Sequence, residues 1–133
     1  MTHLVAYVAS LIVFGILDAI WLTTMSSRLY RPALGEILLD DLRIAPAVLF
    51  YFLYPIGLVV FAAMPAVRSG SAGMALAYGA LFGLLAYATY DLTNYATLRI
   101  WTFQITVIDL IYGTVVAALT SVSAYYAARW FAG

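Results

Sequence analysis

Residues 72–98 read AGMALAYGALFGLLAYATYDLTNYATL, a run in which Asp91 is the only charged side chain. Wound as a helix at 1.5 Å per residue, the run reaches about 40 Å, more than the roughly 30 Å of hydrocarbon in a bilayer. Backbone amides and carbonyls cannot stay unpaired in lipid, so such a stretch crosses as an α-helix that makes its hydrogen bonds within itself. Inside it Ala75, Gly79, Gly83, Tyr87 and Asp91 recur every fourth residue, which places them on one helix face. Small residues at that spacing let membrane helices approach closely, and here the stripe ends at an acid.

Three further runs, residues 4–25, 44–67 and 100–128, are as apolar and each is long enough to span. None alternates with period two, which argues against a β-barrel. The whole chain of 133 residues is 66% hydrophobic and 9% charged, against about 25% charged in a soluble domain. The pattern predicts an all-α integral membrane protein, a single domain over residues 1–133, with four transmembrane helices in an antiparallel bundle. In the longest connection, residues 26–43, Pro32 suits a first helical turn and Leu34, Ile37, Leu38 and Leu42 recur at helical spacing. With Arg31, Glu36, Asp40, Asp41 and Arg43 as polar complement, this predicts a short interfacial helix between the first and second spans. The connections around residues 68–73 and Arg99 are tight, which makes the spans they join antiparallel neighbours.

Several chemistries have nothing to work with. The sequence contains no cysteine and no lysine, and its one histidine is His3. Disulfides, Schiff bases, phosphate-loop lysines and Ser-His or Cys-His catalysis are excluded, and neither a cofactor nor a metal is expected. A net charge of zero recommends no nucleic-acid partner. The first run lacks a basic n-region and carries Asp18, so it is expected to be a span that is kept. Four spans put both termini on one side, face A, with Arg68 and Arg129; face B has Arg28, Arg31, Arg43 and Arg99. The positive-inside bias then assigns face B to the cytoplasm.

Asp18, Asp91 and Asp109 are the only carboxylates outside the 26–43 connection. Each lies eight to ten residues from face B, roughly 12–15 Å deep. An ionisable group there costs roughly 2.5–3.5 kcal/mol on insertion scales, so three at one level mark a site. Folding the third and fourth spans about Arg99 brings Asp91 to Asp109, and the stripe Asp109, Gly113, Ala117, Ser121 matches the one on the third span. Phe14, Asp18, Trp21 and Met25 share a face of the first span, and Tyr51 and Tyr54 reach similar depth on the second. Pro55 leaves the Tyr51 carbonyl without its helical partner. Asn94 follows Asp91 by three residues, and Tyr112 follows Asp109 by three. The candidate ligand- or proton-binding set is therefore Asp18, Asp91, Asp109, Asn94, Trp21, Tyr51, Tyr54, Tyr87 and Tyr112. With no arginine inside the spans, desolvation and mutual repulsion predict that at least one of the acids is protonated near neutrality. Tyr30, Trp101, Trp130 and Phe131 read as interfacial belts.

The run Tyr87-Ala-Thr-Tyr-Asp-Leu-Thr-Asn94, the stretch Leu17-Asp-Ala-Ile-Trp21, the segment Leu29-Tyr-Arg-Pro32 with Leu34-Gly35, and Ile108-Asp-Leu-Ile-Tyr-Gly113 carry a resemblance. Together they resemble a bacterial family of small membrane proteins, domain of unknown function 2177, over essentially the whole chain. The resemblance implies a four-helix protein of the bacterial inner membrane, leans slightly towards a lipid-related role, and brings no catalytic residues. The family's pattern of basic residues points to cytoplasmic termini, opposite to the charge count. The function expected first is binding of a small ligand, proton or cation in transport, which in so small a bundle calls for a homo-oligomer or a membrane partner protein. A membrane-embedded enzyme or enzyme subunit acting on a lipid, and a non-catalytic assembly partner, are the alternatives. Membrane lipids are the expected partners throughout.

Overall fold

The computed structural model describes residues 1–39 and 43–132. Four helices, each long and apolar enough to cross a membrane, make up nearly all of it: α1 Thr2–Leu34, α2 Ile44–Ser69, α3 Ala72–Thr97 and α4 Phe103–Ala132. The turn from α2 to α3 rests on Gly70, whose φ of 67° is left-handed and open to glycine at little cost. The Ser71 hydroxyl then accepts the Met74 amide at 3.1 Å and caps α3. At the opposite end the Thr102 hydroxyl does the same for Ile105 at the start of α4.

Two prolines shape the helices, and neither is Pro55. Residues Ser26–Tyr30 of α1 and Val59–Ala63 of α2 are wound as π-helix. The Arg31 amide reaches back to the Ser26 carbonyl, and that of Met64 to Val59, five residues instead of four. Each wide turn ends two residues before a proline, Pro32 or Pro65. A proline ring collides with the carbonyl four residues earlier, and one extra residue in the preceding turn relieves that collision. Around Pro55 the helix stays α. The Tyr7 hydroxyl of α1 donates to the Phe52 carbonyl at 2.9 Å, one residue from the acceptor that Pro55 frees.

The separate interfacial helix expected between the first two spans is not confirmed. Among the described residues α1 does not stop near Met25; it runs through the π turn to Leu34, with a turn over Gly35–Leu38. Pro32 does not begin a new helix but is absorbed into the old one. Asp40, Asp41 and Leu42, on which part of that expectation rested, lie outside the described residues.

The tightest seam joins α3 and α4. The buried residues of α3 are Ala75, Gly79, Gly83 and Asp91, the stripe read from the sequence. Numbers rise along α3 as they fall along α4: Ala75 shares a cluster with Tyr125, Gly79 meets Ser121, and Gly83 meets Gly113. A methyl group at Gly83 would run into the Gly113 carbonyl, and one at Gly113 into the Tyr87 ring. Only hydrogen fits at either position. Against the other side of α4 lies α1, through Ala6 with Ala124 and Ala128 and through Phe14 with Val116.

Helix α2 is held differently at its two ends. Its close approach to α3 is concentrated in Val59–Ala63 and Met64–Ser69 rather than in Ile44–Leu58. Gly57 takes the Phe82 ring of α3 against its backbone. From there towards face B the two helices diverge. Leu53, Phe61, Leu81, Leu85 and Ile111 are more exposed than buried, the surface a lipid-facing bundle presents.

Candidate functional site

The divergence of α2 leaves a cleft of about 840 Å³ in the face B half of the bundle. One wall is the continuation of α1: Asp18, Leu22, Ser26, Tyr30 and Leu34 line it at four-residue intervals. Tyr54 of α2, Tyr87 of α3 and Asp109 and Tyr112 of α4 complete its inner end, while Trp101 and Arg31 lie nearer face B.

Two of the three acids face this space, each held by tyrosine. Asp18 is buried and both its oxygens are engaged: Tyr112 donates to Oδ1 at 2.7 Å and Tyr51 donates to Oδ2. Asp109 is buried and accepts from the Tyr30 hydroxyl, which in turn accepts the Trp21 indole N–H at 3.0 Å. Trp21 stacks on Tyr112, with ring centroids 4.0 Å apart and planes 14° from parallel. Asp18 and Asp109 are thus the two ends of one aromatic relay. Each residue on it has two contacts fixing its orientation, so the carboxylates are pre-positioned.

Asp91 stands apart. It is fully buried in the α3–α4 seam with its carboxyl against that of Asp109, bonds to nothing else among the described residues, and is not on the cleft wall. Asn94, a turn further on, does not line the cleft either. Tyr51 reaches the site from behind, through Asp18, while Trp21, Tyr54, Tyr87 and Tyr112 all line it.

Tyr30 and Trp101, read from the sequence as interfacial belt, are corrected by their surroundings. Tyr30 holds Asp109, and Trp101 is 6% exposed, packed with Leu29, Leu34 and Ile105 and lining the cleft. Ending the first span near Met25 hid both roles. The strict four-residue spacing from Asp18 to Leu34 was the available signal.

Among the described residues, the cleft wall has polar groups to spare. Tyr54 is 7% exposed with a hydroxyl that has no partner, and the Trp101 indole nitrogen has none either. Towards face A the cleft is closed: Phe14 stacks on Tyr54 with centroids 4.5 Å apart, and Leu58, Val116 and Ala117 lie buried one turn further on. Towards α2 and α3 it is open, where Phe50 and Tyr90 line it and remain 45% and 56% exposed. Both lie seven to nine residues in from face B, roughly 10–14 Å, a depth at which the surroundings are hydrocarbon.

The fold defines a multi-pass helical membrane protein, with two acids at the inner end of a mostly apolar cleft. A family model described as a predicted membrane protein, DUF2177, matches residues 3–126, and the chain belongs to that family. No curated protein and no solved structure matches it.

Proposed function

We propose that the protein binds a membrane amphiphile, with the polar end of the ligand at Asp18 and Asp109 and its apolar part leaving between α2 and α3. The observation that carries this reading is the shape of the cleft: mostly apolar walls, acids at the inner end, and an opening at hydrocarbon depth. A site that passes a solute across the membrane has to reach water on both faces in turn. Here the stacked Phe14 and Tyr54, with Leu58, Val116 and Ala117, close the way to face A. Among the described residues nothing of the kind stands between the acids and the gap beside Phe50 and Tyr90. Hydrocarbon burial of a chain brings about 0.8 kcal/mol per methylene, but the bilayer offers the same, so selectivity rests on the polar end.

Mass spectrometry of the intact protein released from its detergent micelle tests the reading. The wild type should carry a defined amphiphile that Asp109→Asn, equally folded, carries less of. Equal loads on both proteins, or none on either, would refute it.

A further inference from the structure

We infer that the polar end recognised at this site is an ammonium group, which names the ligand class and rests on the amphiphile reading above. The inner end of the cleft offers acceptors in excess. Asp18 accepts a tyrosine hydroxyl at each of its oxygens, and carboxyl oxygens have lone pairs for more than one donor. Asp109 accepts from Tyr30 at Oδ1, and a carboxylate has room for further donors.

Tyr54, buried with an unpartnered hydroxyl on the same wall, adds another oxygen with free lone pairs. Around these oxygens stand the faces and edges of Trp21, Tyr87 and Tyr112. Carboxylates among aromatic rings are the surroundings in which ammonium groups are recognised, because ring faces and acids both attract positive charge.

Charge balance points the same way. Arg31 is the only cationic side chain on the cleft wall among the described residues, and it is exposed. A buried carboxylate is tolerated when it is paired. With no arginine at its depth, the pairing charge comes from the ligand. An alcohol would satisfy the same acceptors but leave the charge uncompensated. A fatty acid would bring another carboxyl against the acids instead of a donor of opposite charge.

The test compares three ligands with the same tail and different ends: dodecylamine, dodecan-1-ol and dodecanoate. Each is titrated at neutral pH into the purified full-length protein in an uncharged maltoside micelle. Trp21 and Trp101 line the cleft, and Trp130, 87% exposed, supplies a constant background, so intrinsic fluorescence reads occupancy. Dodecylamine should give a saturable change at a concentration at least tenfold below that of the alcohol, with dodecanoate weaker still. Asp18→Asn and Asp109→Asn should each weaken the amine tenfold or more and leave the alcohol within twofold. The wild-type comparison needs no variant to fold.

Equal response to amine and alcohol would overturn the ammonium assignment while leaving an amphiphile site in place. No saturable response to any of the three, together with no co-purifying amphiphile, would overturn the reading on which it rests.

Discussion

Replacing Asp91 by asparagine should make the protein more stable. The side chain is fully buried against the Asp109 carboxyl, and among the described residues its oxygens have no other hydrogen-bond partner. An unsatisfied buried polar group costs about 1–3 kcal/mol, and a charged one more. Asparagine has nearly the same shape, so the seam between α3 and α4 need not move. It ends the crowding of two acids and brings an N–H that can donate to the neighbouring Asp109 carboxyl without a shared proton. The expected gain is about 1–3 kcal/mol. For a chain of this size that is a rise of about 4–12 °C in the unfolding midpoint, at about 4 °C per kcal/mol. The assay is thermal or SDS-driven unfolding in a neutral micelle, followed by helical circular dichroism, with Asp91→Ala beside it. Alanine should change stability less than asparagine improves it, since it relieves the charge but leaves a small void. A loss of more than about 1 kcal/mol in Asp91→Asn would refute the reasoning, because it would mean the carboxylate holds native hydrogen bonds.

Other substitutions separate packing from polar contacts. Gly113→Ala puts a methyl group into the Tyr87 ring and should cost about 1–3 kcal/mol in the same unfolding assay; a neutral result would refute the close seam. Tyr30→Phe removes both the donor to Asp109 and the acceptor for Trp21. It should cost about 0.6–1.7 kcal/mol, the range of interhelical bonds in membranes, and shift the Trp21 emission; an unchanged spectrum would count against the relay. Tyr54→Phe loses a hydroxyl that bonds to nothing among the described residues, so unfolding should stay within about 0.5 kcal/mol of wild type while amphiphile binding weakens. A large loss of stability there would show that the hydroxyl has a structural partner.

The seam was legible because close approach is so demanding of residue type. Where two backbones nearly touch, only glycine, alanine or serine fits, and four-residue recurrence of such residues marks the face. Ala75, Gly79 and Gly83 on α3, and Gly113, Ala117 and Ser121 on α4, are buried where their spacing put them. The spans were legible from hydropathy and length alone. The course of α1 beyond Met25 was not, because a π turn adds a residue that a count of 3.6 per turn does not include. A proline in such a segment reads as a helix start when in fact the helix widens to admit it.

The division of labour among the three acids follows from the same stripes. Asp91 continues Ala75, Gly79 and Gly83, so it had to fall in the seam where α3 meets α4, and a residue in a dry seam cannot also face a cleft. Tyr87 lies on that stripe too, yet its ring is long enough to cross Gly113 and reach the pocket. Asp18 begins a different series, every fourth residue to Leu34, and this is the wall that α2 leaves uncovered once it parts from α3 beyond Gly57. Depth alone grouped the acids as three equals; helix face separates them. Asp18 and Asp109 are open to a ligand and braced by tyrosines, and Asp91 lies behind Asp109 without a brace. An acid left unbraced in a seam that otherwise fits to the methyl group costs stability that packing alone does not repay, and its charge or proton can act on a ligand only through Asp109.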